Sequence, residues 1–307
     1  GVSGTRHRVV DSAMTPVRRD LSLFESLVRA IEAASIVDKP ATLVSRAVRG
    51  ALSPGRTKDT LSGTWLGHAL HPALTDVVIG SFLSASVLDV LGGEDDGVAG
   101  ERLIMLGIAA YLPTAAAGAS DWIDGESDTR VKRIGIVHAA SNSVALTFYA
   151  ASLVSRRRGA RGTGTLLSGV GGCVLMFGGF LGGHLSLRRG IGPDQTIFDP
   201  GPDEWRPATD AARLQPGQPL RVIVDDTPVL LLDAGDTIYA LHDRCSHRGC
   251  ALSDGEVEGQ EIVCGCHFSR FDLRDGSVVR GPATAPQPAF DVRRRDGVVE
   301  VRRRPDG

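Results

Sequence analysis

The sequence predicts a membrane α-helical bundle of four transmembrane helices, followed by a small all-β domain. Two observations lead to this prediction. Charged residues are almost absent from several long stretches between residues 72 and 187, and short apolar runs separated by Asp and Gly turns follow residue 207. The hydrophobic share of 42% is ordinary only because it averages these two unlike parts. The 34 basic residues nearly balance the 36 acidic ones, which does not favour a nucleic-acid partner.

Residues 1–62 are predicted to form an amphipathic helical N-terminal region. Apolar residues recur with helical spacing from Leu23 to Ile31 and again from Leu43 to Leu52, and a proline follows each run. No apolar core of signal-peptide length follows Met14, so a cleavable signal is not expected. We expect these helices to lie on the membrane surface or on the protein itself.

Residues 63–190 are predicted to form the transmembrane domain. Four apolar runs reach the roughly 20 residues that cross a hydrocarbon core, at about residues 72–91, 103–120, 134–155 and 163–187. Short connections between them require an antiparallel bundle, so both ends of the domain emerge on one side of the membrane. In the fourth run, Gly178 and Gly182, and also Gly179 and Gly183, lie four residues apart, a spacing typical of close helix packing.

Residues 191–204 are a predicted linker that is rich in Gly and Pro, and residues 205–307 are the predicted all-β domain. Short β-type runs occur at Val222–Val224, Val229–Leu232, Ile238–Leu241, Ile262–Val263, Phe290–Val292 and Val298–Val301.

Four of the five cysteines fall within 22 residues of the β domain and alternate with histidines. Cys245 and His247 form a CxH pattern, and Cys264 and His267 form a CxxH pattern. A structural zinc site would show a CxxC or HxxxH spacing in each half. One Cys and one His from each half suit a two-iron cluster in which thiolates hold one iron and imidazoles hold the other. Such a ligand set raises the reduction potential to about −150 to +300 mV, an electron-transfer range.

These two ligand pairs, their spacing and the β-rich frame resemble the Rieske family over about residues 203–304. The resemblance implies that a loop from Gly281 and Pro282 to Pro288 covers a [2Fe-2S] cluster. A coincidental zinc site, or a domain that has lost its cluster, is the alternative. Under the resemblance, the cluster ligands are Cys245, His247, Cys264 and His267.

Three further residues resemble the quinol-oxidising, high-potential branch of that family, and a fourth departs from it. In that branch, the cysteines equivalent to Cys250 and Cys266 form a disulfide, and the serine equivalent to Ser269 donates a hydrogen bond to a cluster sulfide. Two free thiols in place of the disulfide are the alternative. Phe271 stands where that branch has a tyrosine. Because a donor to the ligand sulfur stabilises the reduced cluster, its loss predicts a lower potential than in high-potential members.

Polar residues gather at the end of the bundle that carries the linker, and ionisable groups in a bundle are costly and often functional. One reading is axial ligation of haem b by a histidine pair such as His71 with His138 or His184. The others are a quinone site, a His/Asp metal site, and a hydrogen-bond network in which Asp76 and Asp121 fix His71 and His138. The candidates are His68, His71, Asp76, Asp121, His138, Asn142 and His184.

The membrane half, over about residues 60–195, also resembles an uncharacterised bacterial four-helix membrane domain that occurs fused to Rieske modules. The resemblance implies the topology but no activity, and Ala69 departs from the proline expected there. It rests on Gly63-Thr64-Trp65-Leu66-Gly67-His68, His71-Pro72, Asp121-Trp122, His138-Ala139-Ala140-Ser141-Asn142 and Gly182-Gly183-His184-Leu185.

Basic residues at the predicted helix ends number seven on the side of the termini and five on the other, which favours a cell-membrane protein with both termini in the cytoplasm. A disulfide between Cys250 and Cys266 would instead indicate an oxidising compartment. The seven are Arg56, Lys58, Arg130, Lys132, Arg133, Arg188 and Arg189, and the five are Arg102, Arg156, Arg157, Arg158 and Arg161.

The sequence therefore predicts a membrane-anchored Rieske protein that transfers single electrons between a membrane donor, either quinol or a bundle-bound haem, and a protein acceptor. The alternative is a redox sensor or an assembly or scaffold protein whose cluster is regulatory. A complete oxygenase would need a second iron site with two His and a carboxylate, but the soluble half has only His242 to spare. The predicted partners are membrane lipid and a redox protein, and an oligomer is compatible with the sequence.

Overall fold

The computed structural model describes residues 23–93 and 96–304. Within these residues, the α-helices lie between Leu23 and Arg189 and the strands begin at Arg206. Residues 1–22 of the predicted amphipathic region lie outside the described residues. The helices are α1 Leu23–Ala33, α2 Asp38–Ala51, α3 Arg56–Ser62, α4 Leu70–Leu91, α5 Gly97–Asp124, α6 Thr129–Arg157 and α7 Arg161–Arg189.

The four long helices α4 to α7 form the predicted membrane bundle. Each is long and apolar enough to cross a membrane, with lengths of 22, 28, 29 and 29 residues. Large apolar side chains such as Val90, Leu112 and Leu166 are exposed on their outer faces, where lipid would cover them. The helices extend beyond the predicted apolar runs into polar residues. Helix α6, for example, begins after Asp128, whose side chain caps the helix by accepting a hydrogen bond from the Arg130 N–H.

The bundle consists of two similar hairpins, α4–α5 and α6–α7, with an internal two-fold relation. Residues 67 positions apart meet across the seam between the hairpins at three levels. At one end the rings of His71 and His138 lie 6.4 Å apart. In the middle the rings of Phe82 and Tyr149 stack at 4.0 Å, and at the far end Asp89 and Arg156 form a buried ion pair. The seam therefore joins residues at equivalent positions of the two hairpins at these three levels.

Glycines let the two helices of each hairpin approach closely. A Cβ at Gly107 would overlap the Phe82 ring, and one at Gly171 would come 3.2 Å from the Tyr149 ring. Of the two predicted glycine pairs, Gly178 and Gly182 pack against α6 side chains, whereas a Cβ at Gly183 would meet nothing within 4 Å. Packing thus explains one predicted pair fully.

The N-terminal helices fold back onto the bundle. Val28 of α1 and Ala41 of α2 are buried in one core with Trp122 and Ile134 of the bundle. The Arg133 guanidinium donates to the Asp38 carboxylate at 2.7 Å. Of the two predicted locations for these helices, the structure shows packing on the protein. Helix α3 was not expected from the sequence because its seven residues are largely polar.

The C-terminal part is an all-β domain built from three antiparallel sheets of order β1-β10-β9, β2-β3-β4 and β5-β6-β7-β8. Strand β3 is buried along its full length and lies at the centre. The strands are β1 Arg206–Asp210, β2 Pro219–Val224, β3 Thr227–Asp233, β4 Ile238–His242, β5 Glu256–Glu258, β6 Glu261–Val263, β7 Arg270–Asp272, β8 Val278–Arg280, β9 Phe290–Arg295 and β10 Val298–Arg303.

The β domain lies on the end of the bundle that also contacts α1 to α3. The Arg248 guanidinium donates to the Gly190 carbonyl at 2.7 Å, where it satisfies the C-terminal end of α7. Arg280 forms an ion pair with Asp59 of α3, with 3.3 Å between nitrogen and oxygen. The Thr64 hydroxyl donates to the Ala283 carbonyl at 3.3 Å. The loops with the predicted cluster ligands therefore face the bundle. A membrane helical bundle with a small all-β domain is confirmed as the fold class.

Candidate metal centre

Two loops of the β domain, the first cysteine loop (residues 245–250) and the second cysteine loop (residues 264–269), have the same backbone conformation. In the first, the Cys245 N–H donates to the Cys250 carbonyl and the Gly249 N–H donates to the Cys245 carbonyl, both at 2.8 Å. These bonds close a tight turn that presents Cys245 and His247 on one side.

The second cysteine loop repeats these bonds at the same spacing. The Cys264 N–H donates to the Ser269 carbonyl at 2.8 Å, and the Phe268 N–H donates to the Cys264 carbonyl at 3.0 Å. The fourth residue after each cysteine has a left-handed backbone, with φ of 75° at Gly249 and 65° at Phe268. The chain thus builds two matched turns, each offering one sulfur and one imidazole.

The two sulfurs of these loops are buried side by side. Cys245 and Cys264 are each 1% exposed, and their thiol groups are within hydrogen-bonding reach of each other. Each sulfur also accepts backbone N–H groups of its own loop, from His247 and Arg248 on Cys245 and from Cys266 and His267 on Cys264. Donors to sulfur stabilise added negative charge, so these amides favour a reduced metal centre.

The hydrogen bond between the two thiols separates their acidities. It raises the pKa of Cys245 well above its usual range, and burial raises it further. The pKa of Cys264 falls to about 6, because this sulfur accepts the hydrogen bond from Cys245. Ionisation of the pair therefore favours Cys264 over Cys245.

The two imidazoles face each other beside the sulfurs. The rings of His247 and His267 lie 5.0 Å apart and nearly perpendicular, at 87°. The Nδ1 atom of each is buried and has no hydrogen-bond partner among the described residues. Burial lowers the pKa of His267 to about 4, with repulsion from His247 as the second cause, so this ring is neutral at physiological pH. Two imidazoles whose Nδ1 atoms are unpartnered, next to two sulfurs, fit the predicted two-iron cluster.

The predicted covering loop closes over the first cysteine loop. Gly281 and Pro282 are buried. The Ser246 N–H donates to the Gln287 side chain at 3.0 Å, and the Ser246 hydroxyl donates to the Ala285 carbonyl at 2.9 Å. These bonds hold the loop where it excludes water from the sulfurs.

Ser269 and Phe271 both lie in the interior beneath the second cysteine loop. The Ser269 hydroxyl accepts from the Ala283 N–H at 3.0 Å, which leaves its own hydrogen available as a donor. Phe271 is fully buried in the core that contains Cys245 and Cys264. A hydroxyl added to this ring would therefore enter the same core.

A disulfide joins Cys250 and Cys266 and links the two cysteine loops. The sulfurs of Cys250, Cys264 and Cys266 lie within 4.8 Å of one another. Because a disulfide-bonded sulfur is not available as a thiolate ligand, this cysteine trio does not suit a zinc site. Cys173 is a free cysteine exposed on α7, away from these loops.

A buried aspartate of α5 contacts the candidate centre and is paired with a buried lysine of α3, and sequence reasoning missed both. The Lys58 ammonium forms an ion pair with Asp124 at 2.9 Å, with side chains 5% and 7% exposed. Lys58 also donates to the Ser120 carbonyl at 3.1 Å. The Nε2 atom of His247 lies 3.4 Å from the Asp124 carboxylate. A signal was present, because Lys58 is one of only three lysines in the chain.

The structure brings only some of the membrane-domain candidates together. His71 and His138 face each other, and Asn142 lies 3.2 Å from the Nε2 atom of His138. His184 is elsewhere, 3.2 Å from Glu32 of α1. His68 is exposed outside the bundle.

The prediction that Asp76 and Asp121 bond to His71 and His138 is wrong. His71 and His138 bond to the backbone carbonyls of Thr114 and Gly178 instead of aspartates. Asp76 is exposed, because it lies five residues after His71 and so points away from the seam. Asp121 lies instead near Asp124 and Lys58.

Comparison with known proteins gives two separate family matches. Residues 204–291 match the Rieske [2Fe-2S] domain, and residues 67–195 match a predicted membrane protein family, DUF2231. The ferredoxin subunit of anthranilate 1,2-dioxygenase from Burkholderia cepacia is 33% identical over 98 residues, which cover 32% of this chain and 91% of that protein. Ferredoxin CarAc from Metapseudomonas resinovorans is 34% identical over 98 residues, which cover 32% of this chain and 92% of that protein.

Among solved structures, the ferredoxin of carbazole 1,9a-dioxygenase from Nocardioides aromaticivorans is 34% identical, with a TM-score of 0.30 over 32% of this chain and 96% of that chain. The curated matches confirm the predicted [2Fe-2S] cofactor and the electron-transfer class of the β domain. They leave haem and quinone as predictions. The chain belongs to the Rieske [2Fe-2S] family, and it carries that domain behind a membrane domain of the DUF2231 family.

Proposed function

We propose that the protein is a membrane-anchored Rieske electron carrier in which Cys245 and Cys264 hold one iron and His247 and His267 hold the other. The observation that carries the proposal is the meeting of two buried sulfurs with two unpartnered Nδ1 atoms, presented by matched turns at the end of an apolar bundle. The cluster supplies one-electron chemistry when bound. The backbone N–H groups on the sulfurs stabilise the reduced form.

The electron enters from the membrane side and leaves to a protein. The bundle covers the first cysteine loop, where His247 lies on Asp124. The second cysteine loop is more open, with Cys266 and Phe268 exposed, and this is where we place the acceptor. The names of the relatives, which are ferredoxins of dioxygenase systems, support a protein acceptor. The donor is a quinol or a haem in the bundle.

Electron paramagnetic resonance of the full-length protein tests the ligand assignment. We expect Cys245→Ser and His267→Ala each to abolish the Rieske signal, because each removes one of the four ligands. Cys173→Ser is the matched control and should leave the signal intact, since this thiol lies on the bundle. A signal that survives either ligand substitution contradicts the assignment, as does purified protein that contains zinc but lacks iron and acid-labile sulfide.

We also propose that the end of the bundle with the β domain faces the cytoplasm, on the count of seven basic residues against five. A protease-sensitive epitope after the last residue should then be cut in inverted vesicles and protected in intact spheroplasts. The same epitope inserted after Gly93, between α4 and α5, should show the opposite pattern. The reverse result would place the cluster in an oxidising compartment, where a disulfide such as Cys250–Cys266 persists.

A further inference from the structure

We propose that His71 and His138 are the two axial ligands of a haem iron held between the hairpins of the membrane bundle. The two rings lie at equivalent positions of the two hairpins and face each other across the seam. The haem site stands on this geometry alone, and only its role as electron donor rests on the proposed function.

Both histidines are fixed in the same way and in the same tautomer. The Nδ1 atom of His71 on α4 lies 2.9 Å from the Thr114 carbonyl of α5. The Nδ1 atom of His138 on α6 lies 2.8 Å from the Gly178 carbonyl of α7. A carbonyl only accepts, so each Nδ1 carries the hydrogen and each Nε2 carries the lone pair. A hydrogen bond of this kind on the second ring nitrogen is typical of metal-ligating histidines.

The spacing of the two rings suits one metal ion between them. A metal–imidazole bond is about 2.0–2.1 Å long, so two imidazoles facing one ion have ring centroids roughly 6.5 Å apart. The observed separation of the His71 and His138 centroids is 6.4 Å, and the rings are nearly perpendicular at 82°. The Asn142 amide nitrogen lies 3.2 Å from the Nε2 atom and 3.3 Å from the Nδ1 atom of His138, so it lies beside this ring and off the Nε2 lone-pair axis.

The shortage of further ligands favours haem over a bare ion. A bare ion such as zinc takes three or four protein ligands. Among the described residues, the only group of three or more metal-binding side chains is Cys250, Cys264 and Cys266, so no third such side chain joins the histidine pair. A porphyrin brings four nitrogens of its own and needs only axial ligands from the protein. Two imidazoles on opposite sides of a seam are such a pair.

Glycines occupy the same place beneath each ring. A Cβ at Gly118 would come 2.6 Å from the His71 ring, and one at Gly182 would come 3.0 Å from the His138 ring. Each of these glycines follows the carbonyl that accepts from the histidine by four residues, so it lies one helical turn further along. The absence of a side chain at Gly118 and Gly182 is therefore required for the histidines to hold their orientation.

The site lies on the cluster side of the bundle. From Gly118, beneath His71, α5 rises about 9 Å to Asp124, which contacts His247 of the first cysteine loop. This rise places the histidine pair at the end of the bundle that contacts the first cysteine loop. One electron would pass from ferrous haem, which becomes ferric, to the oxidised cluster, which is reduced by one electron.

The experiment uses full-length protein purified in detergent from cells supplied with haem precursor. We expect one haem b per chain by the pyridine haemochrome assay. The near-perpendicular rings predict a strongly anisotropic low-spin ferric signal in electron paramagnetic resonance. His71→Ala and His138→Ala should each lose the haem while the Rieske signal and the two cluster irons remain. His68→Ala and His184→Ala are the matched controls and should keep the haem, because neither side chain belongs to the pair.

Two results would overturn the haem site. One is cluster-loaded wild-type protein that takes up no haem even after added hemin, and the other is haem retained by both alanine variants. If an alanine variant does not accumulate, His138→Met replaces it, because methionine is also an axial ligand and should shift the haem spectrum. An unchanged spectrum again refutes the assignment. Haem without a Rieske signal would refute the proposed cluster function alone.

Discussion

Phe271 is the residue that sets this protein apart from the high-potential pattern its sequence otherwise resembles. Its ring is fully buried in the core that contains both cluster sulfurs. Phe271→Tyr adds a hydroxyl there, and a hydrogen bond to a charged acceptor is worth about 1.5–3 kcal/mol. If that bond forms only to the reduced cluster, the midpoint potential rises by roughly 60–130 mV. A redox titration followed by electron paramagnetic resonance measures the shift.

The control for this substitution is Phe268→Tyr, in the second cysteine loop. The Phe268 side chain is 53% exposed, so its new hydroxyl would face water and should leave the potential unchanged. Equal shifts in both variants, or none in Phe271→Tyr, would show that the buried hydroxyl does not reach a ligand sulfur.

At the residue scale, spacing was enough to select the candidate ligands but not their neighbours. The pairs Cys245 with His247 and Cys264 with His267 are close in sequence, so their patterns carry the chemistry. Lys58 and Asp124 are 66 residues apart and meet only because α3 packs on α5. A long-range ion pair of this kind leaves no local pattern. The carbonyl partners of His71 and His138 are also distant in the sequence, so no local pattern predicts them.

At the element scale, each hairpin of the bundle depends on glycine where its two helices approach most closely. A Cβ at Gly107 of α5 would overlap the Phe82 ring, which itself stacks on Tyr149. Because Phe82 is 1% exposed and has no room to move, Gly107→Ala should destabilise the bundle by about 1–3 kcal/mol. The measurement is the thermal unfolding midpoint in detergent, followed by size-exclusion chromatography.

Gly169→Ala on α7 is the matched control for this substitution. A Cβ at Gly169 would meet nothing within 4 Å, so the variant tests the change from glycine to alanine without the overlap. It should unfold at the wild-type temperature or slightly above it, because alanine has the higher helix propensity. If the two variants lose stability equally, the ring contact is not what limits packing within the α4–α5 hairpin.

Long apolar runs made the membrane helices predictable, whereas short strands and the hairpin repeat were not. Strands β5 to β8 have three residues each, which is too short to show an alternating pattern, and of these only β6 overlaps a predicted run. Residues at equivalent positions of the two hairpins differ in type, as Asp89 and Arg156 do, so a comparison of the two halves of the sequence does not reveal the repeat. Packing across the seam, which the sequence does not display, is what relates the two hairpins.

At the scale of the whole molecule, the bundle and the Rieske domain meet through buried charge. Lys58 of α3 and Asp124 of α5 form an ion pair at the end of the bundle, and Asp124 also contacts His247 of the first cysteine loop. The arrangement leaves the second cysteine loop as the more open approach to the cluster. It also means that the stability of the bundle end and the seating of the cluster domain depend on the same carboxylate.

Lys58→Met tests this dependence, because it leaves the Asp124 carboxylate buried without its ammonium partner. Breaking a buried pair from one side costs about 3–5 kcal/mol, so we expect a lower unfolding midpoint and faster loss of the cluster's visible circular dichroism in the presence of an iron chelator. Lys39 is exposed on α2, so the control Lys39→Met should change stability by less than about 0.5 kcal/mol.

The double variant Lys58→Met with Asp124→Leu should recover much of the lost stability, because an apolar pair replaces a buried ionic pair at little cost. A double variant no more stable than Lys58→Met would mean that Asp124 is needed for its contact with His247, and not only as the partner of the lysine.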